Sequence, residues 1–358
     1  MIKRPYLSFT LLLLLSMCIL GGCEKEKSHT VLELFSESQS LAQKKDFYVN
    51  EDSIAIIEGL SCDGKNLIVN DYHSGCCYTL FDKKSGECIA RFGTIGQGPA
   101  ELPSPCYGYL TKSGFTVFDD QTRVVMKYSL DSLRNSRKKD GSPVRLAQYK
   151  IPEAQISKLI AIDDTTFLCA GTYKSRYQYL LFNKNDSVLD YGVDVYNAAD
   201  SAFQTYTRYL SNQGNLVMNP EKHTFAGSIN FSSNIDFFEI VNNKIELIKS
   251  LRLGDPINKP VNEEGIYYVD LTENTQTGYI DLSATSKYVY ALYSDKKMYE
   301  NNRKSDTVLV FDWDGNPIKK YSLDTDAYYI AVDSTQQSLF AAVKNSSSGW
   351  KIICYALD

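Results

Sequence analysis

The sequence predicts an all-β fold: a six-bladed β-propeller of four-stranded antiparallel blades, closed by an N-terminal strand. Three observations carry this. Apolar runs of one kind recur six times, starting at residues 66, 115, 166, 224, 288 and 338, so that successive starts lie 49, 51, 58, 64 and 50 residues apart. A period of about 50 residues holding four short strands is the spacing of propeller blades. The runs are crowded with β-branched and aromatic residues, with 26 Tyr and 16 Phe in 358 residues, and no long stretch has a helical period. The sixth repeat stops at Asp358 after its third strand, so the ring has to be closed by the other terminus.

In chain order, Lys3 and Arg4 precede an apolar block, Leu11 to Leu20, whose length suits a signal-peptide core and falls short of a membrane span. Leu20-Gly21-Gly22-Cys23 follows and resembles the lipobox of bacterial lipoproteins. That resemblance implies cleavage before Cys23, leaving a chain of 336 residues (358 minus 22), and lipidation of the Cys23 thiol. Glu24 is not the aspartate expected for retention at the inner membrane, so the resemblance implies an outer-membrane lipoprotein, facing either the periplasm or the surface. The expected organisation is a signal peptide at 1–22, a lipid-anchored tether at 23–30 and a single propeller domain at 31–358. No other apolar run is long enough to cross a bilayer, so the lipid is the membrane contact the sequence requires. A net charge of −5 argues against nucleic acid as a partner.

VLELF (31–35) is expected to pair with KIICYALD (351–358) as the closing clasp, and SESQSLAQKKDF behind it has room for a short helix. Each blade then has an inner strand: 53–60, 106–110, 156–162, a segment near 214, 278–284 and 327–332. The six recurring runs supply the second strands. Third strands begin at 78, 124, 178, 235, 307 and 351, and four of the repeats show an outer strand, as in ECIARFG and PIKKYSL. KKSG, NKND, VNN and WDG end the third strands as hairpin turns, because Gly, Asn and Asp tolerate left-handed backbone.

Two stretches carry a family resemblance. Gly93-Thr94-Ile95-Gly96-Gln97-Gly98-Pro99-Ala100-Glu101 is similar to a glycine-rich G-x-G-P-x-E turn, and Phe118-Asp119-Asp120-Gln121-Thr122-Arg123-Val124-Val125 to an Asp, turn, Arg-hydrophobic pattern. Both resemble the TolB-like and NHL-like six-bladed propeller lipoproteins of Gram-negative bacteria. Gly96, Gly98, Pro99 and Glu101 are read as a structural link from one blade to the next. Glycine permits the sharp passage, and Pro99, Pro103 and Pro105 exclude the helix a phosphate loop would need.

Loops joining outer to inner strands, and second to third strands, share one face of a propeller. The long ones fall at 94–105, 193–213, 254–277 and 295–306, and the opposite face is expected to carry only tight turns. Tyr72, His73, Arg123, Tyr173, Arg176, Tyr177, Arg208 and Arg303 belong to the long-loop face and form the candidate ligand-binding set, since arginine fixes carboxylates and tyrosine stacks on sugars or peptides. The expected function is a lipid-anchored envelope binding or scaffold protein for a glycan, a peptide or another envelope protein. The alternative is a six-bladed metal-dependent hydrolase or lactonase. Strand-end carboxylates (Asp71, Asp119, Asp120, Asp163, Asp164, Asp281, Asp333) could gather a divalent cation in the funnel, although such residues commonly serve as turn formers. No catalytic residues and no dedicated metal ligands are assigned. His29, His73 and His223 are the three histidines, and none sits in a nucleophile-elbow context. Cys76 or Cys77 could bridge Cys88, and His73 with Cys76 and Cys77 could ligate a metal, but buried free thiols are the plainer reading, above all for Cys169 and Cys354.

Overall fold

The computed structural model describes residues 30–47, 54, 56–71, 75–98, 101–103, 108–111, 114–119, 121–135, 144–148, 156–173, 176–194, 202–301, 303–345 and 349–357. A one-turn 3-10 helix, Val31–Leu34, comes first, followed by β1 (Ser38–Leu41) and β2 (Gln43–Phe47). Blade one is β3 (Gly59–Cys62), β4 (Asn66–Asn70), β5 (Cys76–Asp82) and β6 (Cys88–Thr94). Blade two is β7 (Gly108–Thr111), β8 (Gly114–Asp119), β9 (Val124–Tyr128) and, beyond helix α1 (Leu130–Asn135), β10 (Val144–Gln148). Blade three is β11 (Ile156–Ala161), β12 (Thr166–Tyr173), β13 (Tyr177–Asn183) and β14 (Val188–Asp194). Helix α2 (Ala202–Ser211) leads into blade four: β15 (Gly214–Met218), β16 (Thr224–Ile229), β17 (Ile235–Val241) and β18 (Lys244–Leu251). A separate hairpin, β19 (Asn258–Glu263) and β20 (Ile266–Leu271), precedes blade five: β21 (Gln276–Ala284), β22 (Tyr288–Lys297), β23 (Ser305–Asp312) and β24 (Pro317–Ala327), with α3 (Met298–Asn301) between β22 and β23. Blade six is β25 (Tyr329–Val332), β26 (Ser338–Asn345) and β27 (Gly349–Ala356), completed by β2.

The ring is closed by an N-terminal strand, but not by the segment expected. β2 pairs antiparallel with β27, from Gln43 opposite Tyr355 to Phe47 opposite Ile352. VLELF instead forms the 3-10 turn, and the stretch read as room for a helix is β1 and β2. The reason is lateral exposure. An outermost strand keeps one edge in water, and Asp46 of β2 is exposed there. Two apolar side chains of VLELF do better inside a seam: Val31 and Phe35 are buried beside Phe237, Phe311 and Trp313, between blades four and five. β1 then runs parallel to β24, making blade five a five-stranded sheet.

The core is divided into six wedges, one per seam between neighbouring blades. Phe92, Phe115 and Tyr128 lie between blades one and two; Phe47, Phe81 and Phe340 lie between blades six and one. Middle strands face a neighbouring blade on each side, so they read as continuous apolar runs instead of alternating ones; every residue of β8 and of β16 is buried. Polar ties cross the seams. Arg134 of α1 donates to Asn66 Oδ1 (2.8 Å), Asp82 Oδ2 (3.2 and 3.3 Å) and the Lys65 carbonyl (3.0 Å) of blade one. Lys83 of blade one bonds Asp333 of blade six (3.1 Å).

Two further expectations change. The inner strand of blade one starts at Gly59, later than residue 53, because residues 54 and 56–58 are not strand; that of blade two is described from Gly108, and residues 53, 106 and 107 lie outside the described set. The face opposite the long loops is not made of tight turns alone, because the β9–β10 connection there contains α1. That connection is also why the sequence does not mark β10: a helix, and not a tight turn, follows β9.

Candidate functional site: the central channel

The inner strands of all six blades surround a channel of about 920 Å³. This is the size of a small-molecule site. Inner strands of a propeller run from the outer-to-inner connections toward the first-to-second turns. Early positions such as Lys158 therefore sit toward the long-loop mouth, and the Asp63, Asp164 and Glu221 turns surround the other mouth.

Toward the long-loop mouth, three charged groups from blades three and five converge: Lys158 on β11, and Asp281 on β21 with Arg303 from the β22–β23 connection. Tyr329, the first residue of β25, and Glu58 complete the cluster. The Asp281 carboxylate is held in place by two backbone groups, accepting from its neighbour Leu282 N–H and from Ile330 N–H of blade six, both at 2.9 Å. It therefore ties blade five to blade six as well as facing the channel, helped by Ser283 Oγ, which accepts from Val332 N–H (2.9 Å). Arg303 adopts a left-handed backbone (φ 58°) and lies over the Phe231 ring, 5.8 Å from its centroid. That stacking pre-positions the guanidinium. Asn215 donates to Asn230 Oδ1 and the Ile280 carbonyl, each at 3.2 Å.

Enclosure dominates the electrostatics. It pushes the Asp281 carboxyl up to about 7 against the lowering influence of the Ile330 N–H, Lys158, the Leu282 N–H and Arg303. It pushes the Lys158 ammonium down to about 8, with Asp281 opposing and Arg303 adding to the fall. Tyr329 is raised to about 12 by enclosure first and the Asp281 charge second. Lys158 and Asp281 are only half-buried. Channel water still reaches them, and the shifts arise from the protein packed around their charged ends.

The eight residues singled out from sequence do not form one cluster. Tyr72 and His73 lie outside the described residues. Arg303 lines the channel; Arg123, Arg176, Tyr177 and Arg208 are not among its lining residues. Arg123 occupies the β8–β9 turn with φ 56°. Exposed Arg176 pairs with Asp194 and lies over the Tyr177 ring at 5.3 Å, at the outer side of blade three. Tyr173 stands opposite Tyr177 in the β12–β13 register, and Arg208 is half-buried on α2, one residue before channel-lining Tyr209. Lys158, Glu58 and Tyr329 were missed. The available signal was a lone lysine in ISKLIAI, an inner strand otherwise nearly free of charge; the lone acid of GYIDLSA is the same signal for Asp281.

The glycine-rich link has its own geometry. Ile95 and Leu102 form a parallel bridge, and Leu102 N–H donates to the Thr94 carbonyl (2.9 Å). Glu101 Oε2 accepts from Gly98 N–H (2.8 Å), and a Cβ on Gly96 would run into the Glu101 carboxylate. Pro99 lies outside the described residues.

Four of the other strand-end carboxylates serve local structure, while Asp164 lines the channel. Asp71 accepts from Ile56 N–H (3.2 Å), Asp119 from Gln121 N–H (3.0 Å), Asp163 from Thr165 N–H (2.6 Å) and Asp333 from Gln337 N–H (3.1 Å). Asp120 lies outside the described residues. Among the described residues, no three His, Cys, Asp or Glu side chains group as metal ligands. Cys62, Cys76, Cys77, Cys88, Cys169 and Cys354 are not disulfide-bonded. The conceived bridge to Cys88 is absent because the β5–β6 register sets Cys76 opposite Thr94 and Cys88 opposite Phe81, at opposite ends of the ladder.

Fold and channel define a six-bladed propeller with an open axial site. The family described as TolB-like 6-blade propeller-like matches residues 37–335, and the chain belongs to it. Among solved structures, a DUF4221-family member from Bacteroides vulgatus is 12% identical, covering 88% of this chain and 97% of its own, with a TM-score of 0.51. A Bacteroides fragilis protein named as a presumed exported protein is 11% identical, covering 92% and 96%, with a TM-score of 0.50. At these identities the likeness speaks for the fold. A comparison with curated proteins finds no match.

Proposed function

We propose that the chain is a lipid-anchored, non-catalytic binding protein of the cell envelope, carried on the outer membrane by Cys23, that takes a glycan, peptide or protein ligand at the long-loop mouth of its channel. The observation that carries this reading is the convergence of Lys158, Asp281, Arg303 and Tyr329 on an open cavity large enough for a small ligand. Charged groups brought together in a concave site from separate blades suit recognition.

The N-terminal packing adds an orientation. Val31 and Phe35 are wedged at the end of blade five that carries Trp313, which is the end opposite the long loops. β1 leaves from that end, beginning opposite Lys320 near the start of β24. Cys23 is seven residues before Thr30, a reach of at most about 25 Å. The lipid would thus hold the Trp313 end toward the bilayer and leave the ligand mouth facing away. Fractionation tests the anchor: wild type should take up labelled fatty acid and sediment with the outer membrane, and Cys23→Ala should do neither. A Cys23→Ala protein that still sediments with membranes overturns the anchoring. Retention of full-length protein on glycan and peptide arrays tests the binding.

A further inference from the structure

We infer that the outward face of the β19–β20 hairpin is a docking surface for a basic protein segment that carries apolar side chains. No hairpin residue lines the channel, so this surface stands apart from the ligand mouth proposed above. The argument starts from the turn. Glu264 and Gly265 both have positive φ (53° and 86°), as a tight two-residue hairpin turn requires, and the strands pair from Asn258 opposite Leu271 to Glu263 opposite Ile266. Residues directly opposite each other share a face. Asn262 and Tyr267 make one such pair, and the Tyr267 ring lies 6.3 Å from that of Tyr206 on α2. Their face is therefore turned to the body of the protein. The pairs on either side, Glu263 with Ile266 and Val261 with Tyr268, stand on the outward face, where the Tyr268 hydroxyl donates to Glu263.

Apolar side chains gather on this connection. Ile266 is 69% exposed at the tip, and Ile257, just before β19, is 53% exposed. At the foot of the hairpin Tyr299 of α3 is 71% exposed, with its hydroxyl fixed on the Leu271 carbonyl (3.0 Å). Large apolar residues scattered singly over a surface are ordinary, whereas a group of them in one place marks an interaction site.

Charge decides the kind of partner. Residues 255–273 hold Asp255, Glu263, Glu264, Asp270 and Glu273 against Lys259, a net charge of −4 (one base minus five acids). All five acids are exposed, and among the described residues none of them forms an ion pair. On the neighbouring connection Asp295 and Glu300 match Lys296 and Lys297 in number, so the surplus stays negative. An apolar face rimmed by unneutralised carboxylates complements a segment in which Lys or Arg stands beside apolar side chains. The same charge repels an anionic lipid surface. Pro260 takes a donor from the β19 edge, so contact across the face fits better than a strand added there.

Full-length protein in detergent is titrated with the labelled peptides KVKLKVK, KSKSKSK and EVELEVE, followed by fluorescence anisotropy at about 50 mM salt. KVKLKVK should bind, KSKSKSK roughly tenfold more weakly and EVELEVE not at all, and about 500 mM salt should weaken KVKLKVK. Ile266→Ser, and Glu263→Gln combined with Glu264→Gln, should each weaken KVKLKVK roughly fivefold or more. Leu247→Ser, at a residue 52% exposed on β18, should leave it unchanged. Melting of each variant reports folding, and Asp270→Asn, on the same face, replaces Ile266→Ser if that variant melts early. The inference is overturned if KVKLKVK does not bind, if KSKSKSK binds as tightly, or if the folded hairpin variants bind as wild type does. Sedimentation supplies the other arm: a dimeric wild type with a monomeric Ile266→Ser would give the face to a second copy of the chain and overturn the basic partner.

Discussion

Phe47→Ala tests how the ring is closed. Phe47 is 3% exposed, and its ring meets Phe340 of blade six edge-on at 5.4 Å and Phe81 of blade one at 6.5 Å. It is the one aromatic of β2, the strand that completes blade six, and it also packs across the seam to blade one. Truncating a buried Phe costs about 3 to 5 kcal/mol through lost transfer energy and the cavity left behind. An unfolding entropy of about 2.1 cal/mol/K per residue, taken over roughly 330 residues, is about 0.7 kcal/mol/K, so Tm should fall by about 4 to 7 °C. Scanning calorimetry measures this, and a double-mutant cycle with Phe340→Leu should show a coupling of about 0.5 to 1.5 kcal/mol. A Tm change below about 1 °C would refute the reasoning, since it would mean that β2 does not hold the last blade to the first.

Four further outcomes are expected. Val31→Asp places a carboxylate in the pocket beside Trp313, so Trp emission should shift to the red and stability fall; unchanged emission would mean that the 3-10 turn does not cover that indole. Gly96→Ala should destabilise the blade-one link by about 1 to 3 kcal/mol as Glu101 is displaced from Gly98, and Glu101→Ala in the same chain should recover part of it. The folded carboxyl of Asp281 lies above its unfolded value of about 3.9. This group's favourable contribution is complete below about pH 4 and is lost as pH rises through about 7. Asp281→Asn should therefore gain on wild type between pH 5 and pH 8 in urea titrations, and an unchanged difference would contradict the shift. EDTA should leave Tm unchanged because both oxygens of Asp119 and of Asp333 are taken by turn groups and by Lys83. A clear fall would point back to a metal-dependent hydrolase.

Much of the fold is legible in the sequence, for a reason visible in particular strands. β8, β16 and β26 are packed on both faces by neighbouring blades, so their sequences must be short, apolar and alike, and six such runs 49 to 64 residues apart announce six blades. β10 is not announced, because α1 stands between it and β9 in place of a hairpin turn. The clasp differs from the sequence expectation because burial and edge position make different demands. VLELF is the more apolar segment, yet apolarity favours burial in a seam over the exposed edge that QKKDF occupies.

The site is less legible. Arg176 and Arg303 look alike as loop arginines, yet one pairs with Asp194 at the rim and the other reaches the channel. By itself the sequence determined the class, the blade count and a lipobox-like Cys23, since each depends on local patterns of polarity and turn residues. Only the tertiary structure decided which strand closes the ring and which end the N-terminus leaves from. It also decided that Lys158, Asp281 and Arg303 meet. Those features join segments more than a hundred residues apart, and ring closure, not local propensity, sets such distances.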